Sequence, residues 1–202
     1  MSRTLFTSRD GGDLKVALLR EQLRKMLSLD QLHFMRQTHS DIVCVVGAEG
    51  SDFEADALIT SDKGVGLAAL AADCMPITFS SANVVGVAHV GRLGLVKGIA
   101  PKTVAKMREL GATEIVATVG PSICGKCYEV SVEMYREISS QIPAAATSQE
   151  SHCLDLQSGV RSQLEELGVS VVDVGLCTLE RPEYFSYRGG DITERQAGII
   201  SL

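Results

Sequence analysis

The sequence contains only four histidines. Two of them, His39 in Gln37-Thr38-His39-Ser40 and His89 in Val87-Ala88-His89-Val90-Gly91, stand beside apolar runs among small residues. Between them lies Ala72-Asp73-Cys74-Met75-Pro76. Zinc catalysis draws on neutral imidazoles and thiolates, three from the protein, with a fourth position open to water or substrate. His39, Cys74 and His89 supply such a set. Their intervals match no compact zinc-finger pattern, so convergence depends on the fold. The same atoms also support a Cys74 thiolate with His89 as its base, because a hairpin turn at Asn83 would bring their two strands together. A structural account stands beside both. A histidine at a strand end is commonly a hydrogen-bonded structural residue, and a cysteine in an apolar run is commonly a small core hydrophobe.

Two carboxylates flank expected strands, Asp56 and Asp73, the latter directly before the candidate ligand. A buried acid there could orient an imidazole or move a proton; capping and turn roles are as common. Cys124-Gly125-Lys126-Cys127 has the two-residue gap of redox and zinc motifs, but no second such pair completes a four-cysteine site, and an ordinary turn is the favoured reading. Gly91-Arg92-Leu93-Gly94, at the start of a helical pattern, offers amides to an anion with Arg92 adding charge. It lacks the Gly-Lys-Ser or Gly-Lys-Thr ending of a P-loop.

The elements that must position these groups read as a mixed α+β domain spanning residues 1–202. A helix is expected over Leu14 to Leu29, capped by Asp13. Strands are expected over Leu32–Gln37, Ile42–Val46, Ala57–Thr60, Val65–Ala71, Pro76–Phe79 and Val84–Val90. Helices follow over Leu95–Leu110, Val132–Ile142 and Leu156–Leu167, with strands over Glu114–Val119, Val169–Val174 and Tyr184–Tyr187. The small-residue stretch from Pro143 to Glu150 reads as a mobile loop.

The formal charge of -6 argues against nucleic-acid and anionic-membrane partners, which need clustered cations. With aromatic residues at 4% and no Trp, stacking platforms for single strands are also absent. No window is apolar for long enough to span a bilayer, and the amino terminus lacks a secretory core. A cytoplasmic protein acting on small molecules is expected, its six cysteines free or metal-bound.

Several segments, in order along the chain, resemble one family. They are Thr7-Ser8-Arg9-Asp10-Gly11-Gly12, Gln37-Thr38-His39-Ser40, Ala55-Asp56-Ala57-Leu58-Ile59-Thr60, Ala72-Asp73-Cys74-Met75-Pro76, Ala88-His89-Val90-Gly91, Gly120-Pro121-Ser122-Ile123, Cys127-Tyr128-Glu129-Val130, Leu154-Asp155-Leu156, Cys177-Thr178 and Tyr184-Phe185-Ser186-Tyr187-Arg188. The chain thereby resembles, over nearly its whole length, the laccase-domain family, once labelled multicopper polyphenol oxidases. That family includes bacterial purine nucleoside phosphorylases and the peptidoglycan-editing factor. The resemblance implies His39, Cys74 and His89 as metal ligands. It also implies a layered α/β/β/α arrangement related to the cysteine-hydrolase fold of cytotoxic necrotizing toxins.

The activity implied is zinc-dependent phosphorolysis of purine nucleosides such as adenosine, inosine and methylthioadenosine, with adenosine deamination as a second activity. Cys74, His89 and Asp73 would serve the reaction, and Arg9, Arg92 and Arg188 would bind substrate or phosphate. The alternatives are a Cys-His hydrolase or peptidoglycan-editing amidase, and a degenerate, non-enzymatic metal-binding protein. Copper is disfavoured, since a multicopper cluster needs more imidazoles than four. The sequence departs from the family pattern in three places. His-Ala-Gly-Trp-Arg-Gly becomes His89-Val90-Gly91-Arg92-Leu93-Gly94, one arginine is missing after Arg188, and the region between Gly12 and the first helix is shortened.

Overall fold

The computed structural model describes residues 2–50, 52–148 and 150–202. Two mixed sheets carry the architecture. One has strand order β1-β11-β6-β2-β4, formed by Arg3–Phe6, Gln196–Ser201, Val65–Ala71, Gln31–Arg36 and Phe53–Glu54. The other has order β10-β9-β7-β8-β5-β3, formed by Ser170–Asp173, Val116–Val119, Met75–Ser80, Val85–Val90, Ala57–Thr60 and Val43–Val45. The helices are α1 (Ala17–Met26), α2 (Arg92–Lys97), α3 (Ile99–Glu109), α4 (Val132–Gln141) and α5 (Leu156–Glu165).

The alternation of side chains along each strand sorts them into three apolar layers. On β6, Val65, Leu67 and Ala69 face the other sheet and meet Leu58, Val85 and Val87, while Ala68 faces Leu14 and Leu23 at α1. On β8, Ala88 and Val90 turn the other way, toward Leu95, Ile99 and Val104 of α2 and α3, in a cluster that α4 and α5 complete. The result is α/β/β/α. Because both faces of these strands are covered, they read as near-continuous apolar runs.

Several boundaries differ from the sequence reading. The helix expected over Leu95–Leu110 is two helices, broken at Gly98, whose φ of 72° is left-handed. Pro101, in the first turn of α3, has no N–H to donate back to Lys97, which favours the break there. The first helix begins at Ala17, so Asp13 does not cap it; its carboxylate accepts from the amides of Lys15 and Arg195, each at 3.0 Å. Tyr184–Tyr187 forms no strand. The amide of Gln196 pairs with both backbone groups of Phe185, doing for one residue what a ladder would do for several.

The stretch from Pro143 is held, not loose. Ala145 is buried, Ala146 bridges to Leu154, and the Tyr135 hydroxyl donates to the Thr147 carbonyl at 2.9 Å. Gln149 within that stretch lies outside the described residues. Among the described residues, no helix is long and apolar enough to cross a membrane.

The layer between the sheets depends on Leu67, which is fully buried there. Leu67→Ala should lower the free energy of unfolding by about 2–5 kcal/mol, the range for removing a buried leucine side chain. Chemical denaturation measures it; a loss below about 1 kcal/mol would mean that the two sheets are not held by this layer.

Candidate metal centre

The centre is built where β5 meets β8. Their antiparallel register pairs Ala57 with Ala88, which sets Asp56, just before β5, against His89. The His89 amide donates to the Asp56 carbonyl at 2.8 Å, and His89 Nδ1 lies 2.9 Å from Asp56 Oδ1. The other carboxylate oxygen of Asp56 accepts from the Ser40 amide at 2.6 Å, the Ser40 hydroxyl at 2.7 Å and the Thr38 amide at 3.1 Å. One buried carboxylate thus orients His89 and ties down the loop that carries His39. With Nδ1 committed to Asp56, His89 presents Nε2 to the centre.

His39 itself has φ of 56°, a left-handed conformation that costs a residue with a Cβ on the order of 1–3 kcal/mol and clusters at functional sites. Its carbonyl accepts from Lys97 Nζ at 2.8 Å.

Cys74 precedes β7, and the β7–β8 hairpin pairs Met75 with Val90, which brings the thiol opposite Gly91. A Cβ at Gly91 would lie 2.8 Å from Cys74 Sγ and 3.1 Å from His39 Cδ2, so glycine leaves the room the centre needs. Cys74 Sγ is 3.9 Å from His39 Nε2, the two imidazoles meet edge to face with centroids 4.8 Å apart, and the three donor atoms lie within 4.8 Å of one another. A tetrahedral zinc ion holds nitrogen and sulfur ligands about 3.3–3.8 Å apart, so one thiolate and two imidazoles here can close on one ion and leave a fourth position open.

Electrostatics already favour a charged pair. Burial pushes the Cys74 thiol up, but the His89 charge and hydrogen bonds from His39 and His89 outweigh it and hold the thiol at about 6. Burial likewise opposes charge on His89, yet the Cys74 sulfur and the Asp56 carboxylate raise it to about 9. Asp56 stays well below the usual carboxylate range, because hydrogen bonds from His89 and Ser40 exceed its desolvation.

The remaining site residues separate by role. Asp73, at φ of 81°, accepts from Thr178 Oγ1, Ser186 Oγ and the Arg188 amide, each at 2.7 Å. Its carboxylate is occupied in holding the loop after β10 and the segment bearing Arg188. The acid that orients an imidazole is Asp56. Arg188 reaches the Glu129 carbonyl at 2.9 Å and lies over the Tyr128 ring, 5.2 Å from its centroid. Arg188 and Tyr128 border two neighbouring cavities. One, of about 460 Å³, opens over His39, Cys74 and His89; the other, of about 470 Å³, is lined by Arg92, Glu129 and Ser131.

Arg9 lines neither. Its guanidinium pairs with both oxygens of Asp191, donates to the carbonyls of Pro182 and Tyr184, and covers Phe185. The structure therefore brings Arg92 and Arg188 beside the centre and uses Arg9 to fasten the loop that carries Arg188. The sequence reading quoted Gly91 and Tyr128 within motifs but gave neither a place at the centre, where Gly91 leaves room for the donor atoms and Tyr128 borders both cavities.

Two measurements test this centre. In metal-free protein, the charge of His89 and the hydrogen bonds from His39 and His89 that hold the Cys74 thiol at about 6 should leave it a thiolate at neutral pH. Its alkylation by iodoacetamide, followed on the Cys74 peptide, should be level at neutral pH and fall about tenfold per unit below that midpoint. A rate still climbing at pH about 8.5, where an ordinary thiol titrates, would remove the charged pair. Asp56→Asn should weaken zinc affinity about 10–100-fold by releasing His89; unchanged affinity would show that Asp56 does not orient it.

Comparison with known proteins places this geometry in context. Residues 5–202 match the family described as multi-copper polyphenol oxidoreductase laccase. The chain is 41% identical over 195 residues to a Streptomyces coelicolor protein named purine nucleoside phosphorylase, covering 91% of this chain and 81% of that one. It is also 41% identical over 187 residues to a Corynebacterium glutamicum protein of the same name, covering 87% and 76%. The crystal structure of a Neisseria meningitidis protein superposes with a TM-score of 0.87 at 28% identity, covering 100% of this chain and 94% of the other. With nearly every residue matched and the fold shared, the chain belongs to the multi-copper polyphenol oxidoreductase laccase family.

Proposed function

We propose that this protein is a zinc-dependent purine nucleoside phosphorylase. The observation that carries the reading is the placement of two arginines, Arg92 and Arg188, on a cavity that shares Tyr128 and Arg188 with the cavity over His39, Cys74 and His89. The names of its relatives support it.

Phosphorolysis breaks the bond between the sugar carbon and the base nitrogen, forms a bond from that carbon to a phosphate oxygen, and returns a proton to the base. The phosphate needs cationic, geometrically fixed partners, which Arg92 and Arg188 supply. Tyr128 stands between the two cavities and offers an aromatic face to a nucleoside. His39, Cys74 and His89 would hold the metal, and Asp56 keeps His89 in the tautomer that ligation requires. Zinc held there would supply Lewis acidity to the reaction.

Inosine, adenosine and methylthioadenosine are the substrates to try. Purified enzyme given inosine and phosphate should release hypoxanthine and ribose 1-phosphate, lose the activity to a chelator and regain it with zinc. No product at high enzyme concentration sinks the proposal. Arg92→Ala and Arg188→Ala should each raise the KM for phosphate about ten- to hundredfold, the loss of a charge-assisted contact. Ammonia release from adenosine reports the deaminase activity separately.

A second reading rests on the series Cys74, His89 and Asp56, half-buried at the thiol and buried beyond it, which has the order of a nucleophile, its base and the base's orienting acid. A Cys-His hydrolase or amidase would work without metal. Removal of zinc would then raise turnover of an amide substrate, and alkylation of Cys74 would end it.

A further inference from the structure

A second cluster of metal-ligating side chains lies outside the centre described above. Cys124 and Cys127 occupy one turn, closed by the Cys127 amide on the Cys124 carbonyl at 3.0 Å. Cys177 and Glu180, at the same spacing of i and i+3, occupy a second turn after β10. A parallel bridge between Ser122 and Cys177 lays the two segments side by side: the Ser122 amide donates to Leu176 and the Thr178 amide to Ser122, both at 3.1 Å. The Cys124 amide points at Cys177 Sγ from 3.4 Å, and Cys127 Sγ lies 3.6 Å from Glu180 Oε1. All four donor atoms fall within 4.8 Å of one another. A Cys-x-x-Cys pair without a second such pair reads as a turn in the sequence; the chain completes it with a distant Cys-x-x-Glu.

We propose that Cys124, Cys127, Cys177 and Glu180 form a second zinc site, structural in purpose, that clasps segment 122–130 to the loop following β10. Three sulfurs and one carboxylate oxygen fill a tetrahedral shell, in which sulfur ligands at about 2.3 Å from zinc stand about 3.8 Å apart. Thiolates select zinc over the hard cations that carboxylates alone would attract. Amide donation to a ligand sulfur is the outer-shell support such sites use. Binding releases the thiol protons, and Lys126, on the same rim as Cys124, Cys177 and Glu180, offsets the excess negative charge.

The position gives the site a task. Thr178 follows Cys177 and donates to Asp73, while the Ile123 amide, one residue before Cys124, donates to the Asp73 carbonyl at 2.9 Å. Clasping the two turns therefore fixes Asp73, and with it the approach of the chain to Cys74.

The test needs no nucleoside, so it stands whatever the enzyme's substrate proves to be. His39→Ala with Cys74→Ser removes two ligands of the first centre, including its only thiol. Protein carrying both changes, purified without added metal, should keep about one zinc per chain by elemental analysis. Adding Cys127→Ser should remove it. Should that triple variant fail to fold, cobalt exchanged into the double variant reports directly: a sulfur-to-cobalt charge-transfer band requires thiolate ligands that the first centre no longer provides. A chelator should also lower the melting temperature of the double variant. A double variant with no zinc and no such cobalt band overturns the proposal, as does a Cys124–Cys127 disulfide in protein purified without oxidant.

Discussion

The carboxylate of Asp56 accepts four hydrogen bonds in a place no water reaches, and the candidate centre depends on all of them. Three come from the loop that carries His39, and the fourth is His89 itself. An isolated carboxylate would not remain charged in that environment. The donors make the charge tolerable, and the charge gives them a reason to converge. Taking away one partner from such a buried arrangement typically costs about 3–5 kcal/mol, because the other is left unpaired. The β5–β8 register supplies the rigidity, since His89 and Asp56 are also joined through their main chains.

A second carboxylate does comparable work from the opposite side. Asp73 has a left-handed backbone and accepts from Thr178, Ser186 and the Arg188 amide. Those bonds join the start of β7 to two distant loops, and Arg9, through Asp191, secures the second of them. Strain at His39 and Asp73 is thus held on both flanks by side chains whose hydrogen bonds are fully engaged. That arrangement suits a centre in which donor atoms must stand close before any ion is bound.

Much of this was legible in the residues. The apolar runs at Ala57–Thr60 and Val65–Ala71 coincide with β5 and β6, because strands buried on both faces announce themselves by hydrophobicity alone. Asn83 marks the hairpin that joins β7 to β8. Other features could not be read this way. β1, β4 and β11 pass unnoticed because they are short or, like Gln-Ala-Gly-Ile-Ile-Ser, carry glycine and polar ends. Phe185 is buried without belonging to a strand, since the single amide of Gln196 satisfies its backbone. At the centre, residue types suggested His39, Cys74 and His89, but their closure depends on register, which spacing does not contain. Asp56 and Asp73 look alike in sequence; only the fold shows that the first holds an imidazole and the second a loop.

The centre therefore has two unequal halves. His89 lies on β8 and Asp56 directly precedes β5, joined by main-chain and side-chain hydrogen bonds, and neither can shift without breaking them. His39, Cys74 and Arg188 are set by loops, left-handed residues and hydrogen bonds to Asp73, so their positions depend on what anchors those loops. Of the three departures from the family pattern, two concern arginines outside the sheets: one stands a place early, at Arg92 at the start of α2, and one is missing after Arg188. Changes there alter the charge and shape offered to a substrate without touching the Asp56–His89 bond. The Asp56–His89 pair can persist while the charge around it changes, because that pair rests on the β5–β8 register whereas Arg92 and Arg188 lie outside the sheets.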